Sequence, residues 1–441
     1  MAHGAGKSGL PMTMQVEPAR ETFRITIVYG RLPLPMKRAD QMTVAHLIAF
    51  LKARGHEVDL LTLDDGERLT PENEAWLRAH CRTLTVMPQG RRRSLLGMAR
   101  GLARRLPLQV GWFSNDDQRE AVRRILAEGS ADVVYCYTIR GAESIRGLPR
   151  GSAVTFLAMQ VSQSLNTRRM METFTTLRDK LIFSTEARLV RRYEAHVWQD
   201  FDRVVLIGER DVEEVRQVCR EYGQPEVDNW VYGAHGVDIG RYVPRGREVV
   251  EPNMLVFSGA MGTNTNANAA IWFAEHVFPK IRAEVPDARL MIVGRNPRPA
   301  VTALASRPGV TVTGEVPDPA DYIARAAVCV NPVMAGAGMQ NKLLEFLAMA
   351  KPTVATTVAN EGIRATPGEH LIIADAPDEF ARQTVALLRD EARAARLGLA
   401  GRRYVQENWT WEAHWLRLEA NMLAALKEKR GVPAADRLVP A

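Results

Sequence analysis

AGAGMQNKLLEFLAMAKPTVATT, Ala335 to Thr357, is the stretch from which the fold can be read. Gly336 and Gly338 allow a tight turn ahead of a run in which Leu343, Leu344, Leu347 and Met349 recur at helical spacing. PTVATT, from Pro352, then reads as a buried strand. A Gly-rich turn into a helix leaves backbone N–H groups unpaired, and the helix dipole adds partial positive charge there. Phosphate is the natural ligand of such an end. Lys342 falls in the first turn, where a cation opposes the dipole unless it serves an anion. Glu345, one turn on, is placed to accept hydrogen bonds from ribose hydroxyls. The plain alternative is a loop with glycines for packing and a solvated lysine.

The same alternation of strand and helix extends to both sides. MLVFSGA (Met254–Ala260), ARLMIVG (Ala288–Gly294), VTVTGEV (Val310–Val316) and AVCVNPV (Ala327–Val333) are short apolar runs ending near Gly, Pro or Asn. Ahead of them YVPRGREVVEPN (Tyr242–Asn253), rich in proline and charge, reads as an interdomain linker. An earlier series opens with FRITIVYG (Phe23–Gly30), a Pro-rich loop, a helix carrying Val44, Leu47, Ile48 and Leu51, Gly55, and a strand at Glu57–Leu63. ADVVYCYTI (Ala131–Ile139), SAVTFLAM (Ser152–Met159) and FDRVVLIG (Phe201–Gly208) continue it. Strands alternating with helices indicate two successive doubly wound α/β domains.

Composition agrees with a globular chain: 441 residues, 46% hydrophobic and 25% charged, with 58 Lys and Arg against 51 Asp and Glu. A net charge of +7 is modest at this length and predicts no nucleic-acid partner. No apolar run approaches the ~20 residues of a membrane-spanning helix. MAHGAGKSGLPMTMQVEPAR at the N-terminus lacks an apolar core and reads as a disordered lead-in, with a cytoplasmic location as the expectation. Cys81, Cys136, Cys219 and Cys329 are scattered, against a disulfide framework or structural zinc.

LLEFLAMAKPTVAT resembles the donor segment of retaining GT-B glycosyltransferases (group 1, family 4-like), which commonly read E-G-F-G-x-x-x-L-E-A-M-A-x-G-x-P-V-V-A. Glu345 fills the place of the second glutamate of that pattern, and Ala337 stands at the first. Gly336–Glu345 looks most like the G-x-G-x-x-N-K-x-L-E branch, which includes sugar transferases of bacterial exopolysaccharide clusters. Phe257–Gly294, VTGEVPD (Val312–Asp318), AHGVD (Ala234–Asp238) and RGHEVDLLT (Arg54–Thr62) are similar to further family segments in the same order. Tyr404–Leu426 is similar to the C-terminal helix that crosses back to the first domain, with Trp409, Trp411 and Trp415 packing it.

The resemblance implies two Rossmann-like domains facing across a cleft: a lead-in over 1–20, an acceptor domain over 21–245, a nucleotide-sugar domain over 246–405, a crossover helix over 406–430 and a tail over 431–441. It implies transfer of a sugar from a nucleotide-diphosphate donor to an acceptor hydroxyl with retention, in polysaccharide, glycolipid or natural-product synthesis. Neither cofactor nor metal is expected. Donor contacts fall on Gly259, Asn266, Gly294 and Arg295, with Val316 against the base. Gly338, Met339, Gln340, Asn341, Lys342, Leu344 and Glu345 continue them. The strand-following loop GAMGTNTNAN lacks the cation many relatives place there, which leaves Lys342 for the diphosphate. Asn360-Glu361-Gly362 is expected near the phosphates or ribose.

On the acceptor side, Lys37 and Asp40 carry the branch's K-x-x-D spacing, and Arg140 follows a strand end as a second catalytic candidate beside Lys342. The relatives' Asp-rich strand appears as TFLAMQVSQS (Thr155–Ser164), without an acid. His46 and His235 read as structural. Between Gln89 and Asn115 there is no acid, and on a helix Leu95, Ala99, Leu102 and Leu106 face away from Arg93, Arg100 and Arg104. That pattern suits peripheral contact with an anionic membrane, or a solvated surface helix. A nicotinamide oxidoreductase would need Gly-x-Gly-x-x-Gly after a strand, which neither YGRLPLP nor SGAMGTN supplies. The remaining alternative is a GT-B-fold nucleotide-binding protein without transferase activity.

Overall fold

β-branched apolar runs bury both faces of a strand, and here they build two separate all-parallel sheets. The computed structural model describes residues 17–431 apart from 37, 65, 67–68, 173–176, 234–235 and 335–338. The chain divides into one unit of Met1–Ala234 with Trp415–Ala441 and a second of His235–His414.

The first unit holds β1 (Arg24–Tyr29), β2 (Glu57–Asp64), β3 (Thr83–Pro88), β4 (Val133–Tyr137), β5 (Val154–Gln160), β6 (Arg203–Leu206) and β7 (Trp230–Tyr232). Their order is β3-β2-β1-β4-β5-β6-β7, so the direction of winding reverses between β1 and β4. β1 pairs in register with both neighbours, Ile25 lying beside Val58 on one side and Val133 on the other. Ile25, Ile27, Val133 and Tyr135 are fully buried. From Trp415 onward the last helix is part of this unit. Its Glu419 receives Arg54 at 2.8 Å and His56 at 2.5 Å. Lys427 meets Glu21 at 2.9 Å, and Arg430 meets Asp132 at 2.8 Å.

The second unit holds β8 (Met254–Ser258), β9 (Arg289–Val293), β10 (Val310–Val312), β11 (Val328–Asn331), β12 (Thr353–Ala355) and β13 (Ile372–Ile373). Their order β10-β9-β8-β11-β12-β13 reverses between β8 and β11. Such reversals open a crevice outside the carboxyl ends of the strands, where ligands of this fold bind.

Two sequence expectations change. The boundary falls at 234/235 rather than 245/246. The Val237 N–H donates to the Trp409 carbonyl at 2.8 Å, which fixes this segment to the second unit. Likewise Tyr242–Asn253 is no free linker: Arg241 pairs with Asp318 at 3.1 Å, Arg245 with Asp321 at 2.5 Å and Arg247 with Glu391 at 2.6 Å. On the Arg91–Ala103 helix neither the leucine face nor the arginine face is buried. It buries its small residues Ser94 and Gly101, and leaves Leu95, Leu96 and Leu102 at 48%, 59% and 46% exposure. A Cβ on Gly97 would sit 2.3 Å from the Gly111 carbonyl oxygen, so the glycine side allows the Leu108–Phe113 helix to press close. Arg93, Arg100 and Arg104 pair with Asp117, Asp116 and Glu143 at 2.6, 3.2 and 3.0 Å.

Candidate active site

Three strand-to-loop exits and one helix start converge in the second unit on a cavity of about 630 Å³. β8 runs into Gly259, and β9 into Gly294. These exits touch: the Gly259 N–H donates to the Val293 carbonyl at 2.9 Å, and a Cβ on Gly294 would lie 1.6 Å from the Gly259 oxygen. Only glycine fits there. After Gly259 the chain turns into the Asn264–Trp272 helix, capped by the Thr263 hydroxyl on the Asn266 N–H. The Asn266 side-chain amide donates to the Ala260 carbonyl at 3.2 Å. Arg295 is exposed on the rim, and Val316 with Pro319 forms an apolar wall.

The fourth side is the Asn341–Ala348 helix, with Gln340 at its N-cap. Lys342 and Glu345, three apart, line the cavity, while Leu343, Leu344 and Leu347 fill the core on the other side. Leu344 therefore does not contact this cavity. Adjacency in sequence to Glu345 turns it about 100° away on a helix. The Lys342 ammonium donates to Gln340 Oε1 at 2.7 Å and lies 5.8 Å from the centre of the Phe257 ring. Burial pushes its pKa down to about 8, against a smaller upward pull from Glu345. Burial likewise raises the pKa of the Glu345 carboxyl, opposed by the neighbouring Tyr242 hydroxyl and by the charges of Lys342 and Arg241. A buried ammonium beside a helix start is a site prepared for an anion. Tyr242, in the segment that reads as a linker, is a contributor that sequence reasoning missed. It lines the same cavity and lies close enough to Glu345 to lower its carboxyl pKa, and no local pattern marks that proximity.

Met339, Gln340 and Asn341 line the cavity as expected, whereas Gly338 and Ala337 lie outside the described residues. Asn264 receives Arg298 and is not part of the lining. Asn360 closes its own turn, exchanging hydrogen bonds with the Ala365 backbone at 2.8 and 3.0 Å, and neither it nor Glu361 lines the cavity.

In the first unit, Arg140 lies over the Phe113 ring and lines a different cavity from Lys342. Asp40 holds Arg31 at 3.1 Å. Lys37 and His235 fall outside the described residues, and His46 is buried. The acid-free stretch Thr155–Ser164, which is β5 and the turn after it, gains carboxylates from elsewhere. Fully buried Glu194 accepts from the Ser162 hydroxyl and the Gln163 and Ser164 N–H groups, and Asp211 accepts from the Ser162 N–H. Among the described residues no three His, Cys, Asp or Glu side chains are grouped to hold a metal. Nor is any helix long and apolar enough to cross a membrane.

The model of the glycosyl transferases group 1 domain matches residues 252–390, the part of the chain that builds this cavity, and the glycosyl transferase 4-like domain matches 41–227. The chain belongs to the group 1 glycosyltransferases. It resembles an uncharacterized 44.6 kDa protein in the cps region of Klebsiella pneumoniae, 19% identical across 88% of this chain and 96% of that protein. A GDP-mannose-dependent alpha-(1-6)-phosphatidylinositol monomannoside mannosyltransferase of Mycolicibacterium smegmatis is 33% identical over 168 residues, 34% of this chain and 44% of that one. Among solved structures, sucrose-phosphate synthase from Thermosynechococcus elongatus superimposes with a TM-score of 0.58 at 17% identity, covering 90% of this chain and 97% of its own. The fold of this group 1 glycosyltransferase is GT-B, and its activity is glycosyl transfer from a nucleotide sugar.

Proposed function

We propose that the chain moves a hexosyl group from a nucleoside diphosphate sugar to an acceptor hydroxyl with retention of anomeric configuration, in the assembly of a polysaccharide or glycolipid. The observation that carries this is the placement of Lys342 and Glu345 on one face of a helix whose start opens into the cavity at the β8/β11 reversal. In this reading the diphosphate lies against the Lys342 ammonium and the helix-start N–H groups, and Glu345 accepts the ribose hydroxyls. The bond from the anomeric carbon to the diphosphate oxygen breaks, and Lys342 meets the charge that gathers on that oxygen. The acceptor oxygen bonds to the same face of the anomeric carbon and passes its proton to the departing diphosphate. No cofactor beyond the nucleotide sugar enters this reading. A setting in polysaccharide or glycolipid synthesis draws on the cps-region and phosphatidylinositol mannoside relatives.

Peripheral attachment to an anionic membrane belongs to the same proposal, now resting on different residues. Exposed Leu95, Leu96 and Leu102 stand beside Arg91, Arg92 and Arg105, which have no ion-pair partner among the described residues. Leucines flanked by arginines suit an interfacial helix.

A thermal-shift panel of UDP, GDP, dTDP and ADP tests the donor reading, because a ligand of the native state raises the melting temperature by mass action. One or more should stabilise the protein, and the matching nucleotide sugar should be turned over. Stabilisation without turnover of any sugar donor would favour a binding protein, and no stabilisation would remove the reading.

A further inference from the structure

A second cavity, of about 310 Å³, lies within the first unit. Arg31 follows β1 and Arg140 follows β4, the two strands between which the winding of that sheet reverses. Ligands of doubly wound sheets collect outside the strand ends at such a reversal. Both guanidinium groups lie over the one ring of Phe113, 5.1 and 5.5 Å from its centre. Asp40 answers Arg31 at 3.1 Å. Arg140 has no carboxylate at ion-pair distance among the described residues; its Nε donates to the Gln109 amide oxygen at 3.3 Å. Burial, then the charge of Arg31, lowers the Arg140 pKa, with Arg38 adding to the effect and Asp40 and Tyr29 opposing it.

Arg140 thus shares one aromatic ring with a second cation and has no carboxylate of its own among the described residues, and an anion against both guanidiniums supplies it with one. The remaining lining is apolar, from Met98 and Leu108 with the Trp112 side chain beside them. The Leu108–Phe113 helix that carries it is fixed at its start, where Glu186 accepts from the Leu108 N–H at 2.7 Å. The planar forks of two arginines can share the three terminal oxygens of one phosphate, whereas the two oxygens of a carboxylate serve one fork. We infer that the acceptor carries a phosphate group, seated on Arg31 and Arg140, with its carbon skeleton against Trp112 and Leu108. This deepens the transferase reading, on which the word acceptor rests; the phosphate site itself is read by binding alone. The phosphate belongs either to a lipid or to a sugar.

Calorimetric titration with geranyl phosphate and with glucose 6-phosphate, each beside geraniol or glucose as its phosphate-free partner, separates the sources. At least one phosphate should bind, and its phosphate-free partner should not. Binding by geranyl phosphate alone assigns a lipid phosphate; comparable binding by both, or by glucose 6-phosphate alone, assigns recognition of the phosphate without its lipid. Arg31→Gln and Arg140→Gln should each weaken that binding about tenfold or more, as loss of a charge-assisted hydrogen bond does. Arg140→Lys should restore part of it, because it keeps the charge without the fork. Lys342→Ala should leave it unchanged, and each arginine variant should keep the wild-type thermal shift with nucleoside diphosphate, which shows that it is folded. Equal binding of the phosphate-free partner, no binding of either phosphate, or loss in Lys342→Ala but not in Arg140→Gln would overturn the inference. If nucleoside diphosphates fail to stabilise the wild type while the phosphate still binds, the donor reading falls and the phosphate site stands.

Discussion

Replacing Lys342 with methionine should make the protein more stable and less able to bind a nucleotide. The side chain is buried, and its ammonium is held at about 8 instead of the ordinary 10.5. Keeping that charge at pH 7 therefore costs the folded state about 3 kcal/mol. Methionine has a similar reach and no charge, so this cost disappears. Against it stands the loss of the hydrogen bond to Gln340, itself buried; the attraction to Glu345 is already contained in the lowered pKa. Leaving a buried acceptor without its donor costs about 1–2 kcal/mol, so the net gain is about 1–2 kcal/mol. In a unit of this size that corresponds to a melting temperature higher by about 2–8 °C. Differential scanning fluorimetry at pH 7, with and without the stabilising nucleoside diphosphate, reads both effects. Lys342→Met should melt higher than wild type alone and gain much less from the nucleotide. A variant that melts lower, or that gains as much from the nucleotide, would refute the picture of a charge buried for the sake of an anion.

Nucleotide affinity should fall as pH rises through about 8, where Lys342 of the free protein loses its proton; the sign is that of a base whose charged form the ligand favours. Calorimetry between pH 7 and 9.5 in buffers of different ionisation enthalpy should show proton uptake on binding above that point, and Lys342→Arg should remove the bend. The same lysine makes the nucleotide-free protein gain stability from about pH 8 towards 10.5, because the unfolded chain then holds a proton that the folded one has released. Glu345→Ala should weaken nucleoside diphosphate binding with the fold intact, by circular dichroism and titration; unchanged affinity would remove the ribose assignment. Glu419→Ala should lower the melting temperature of the first unit, since it leaves Arg54 and His56 without their buried carboxylate, a loss of about 3 kcal/mol.

What the sequence made legible follows from which physical signals are local. Apolar β-branched runs such as ITIV in β1 and LMIV in β9 declare buried parallel strands because burial on both faces needs no partner to be named. β3, largely exposed at a sheet edge, and the short β7 and β13 give no such signal. Lys342 and Glu345 could be placed together because a spacing of three on a helix is a fixed geometry. The same geometry turns Leu344 to the core. On the arginine-rich helix, periodicity found the leucine face and the arginine face but not which side is buried. There Ser94, Gly97 and Gly101 decide, through a close helix contact that only small residues allow. Tyr242 was invisible in the sequence, but Arg31 was not. Tyr242 reaches Glu345 from a segment whose composition reads as a linker, whereas Arg31 sits just past a strand end, where the rule that flags Arg140 also applies.

One experiment bears on the whole reading: a proton NMR time course of the protein turning over the nucleotide sugar chosen by the thermal-shift panel, run beside Lys342→Ala. The expected result is that the first sugar anomer to appear has the configuration of the donor, together with free nucleoside diphosphate. In Lys342→Ala the rate should fall by about two to three decades, the cost of removing a donor aimed at developing charge. First appearance of the opposite anomer, or near-normal turnover in Lys342→Ala, would contradict it.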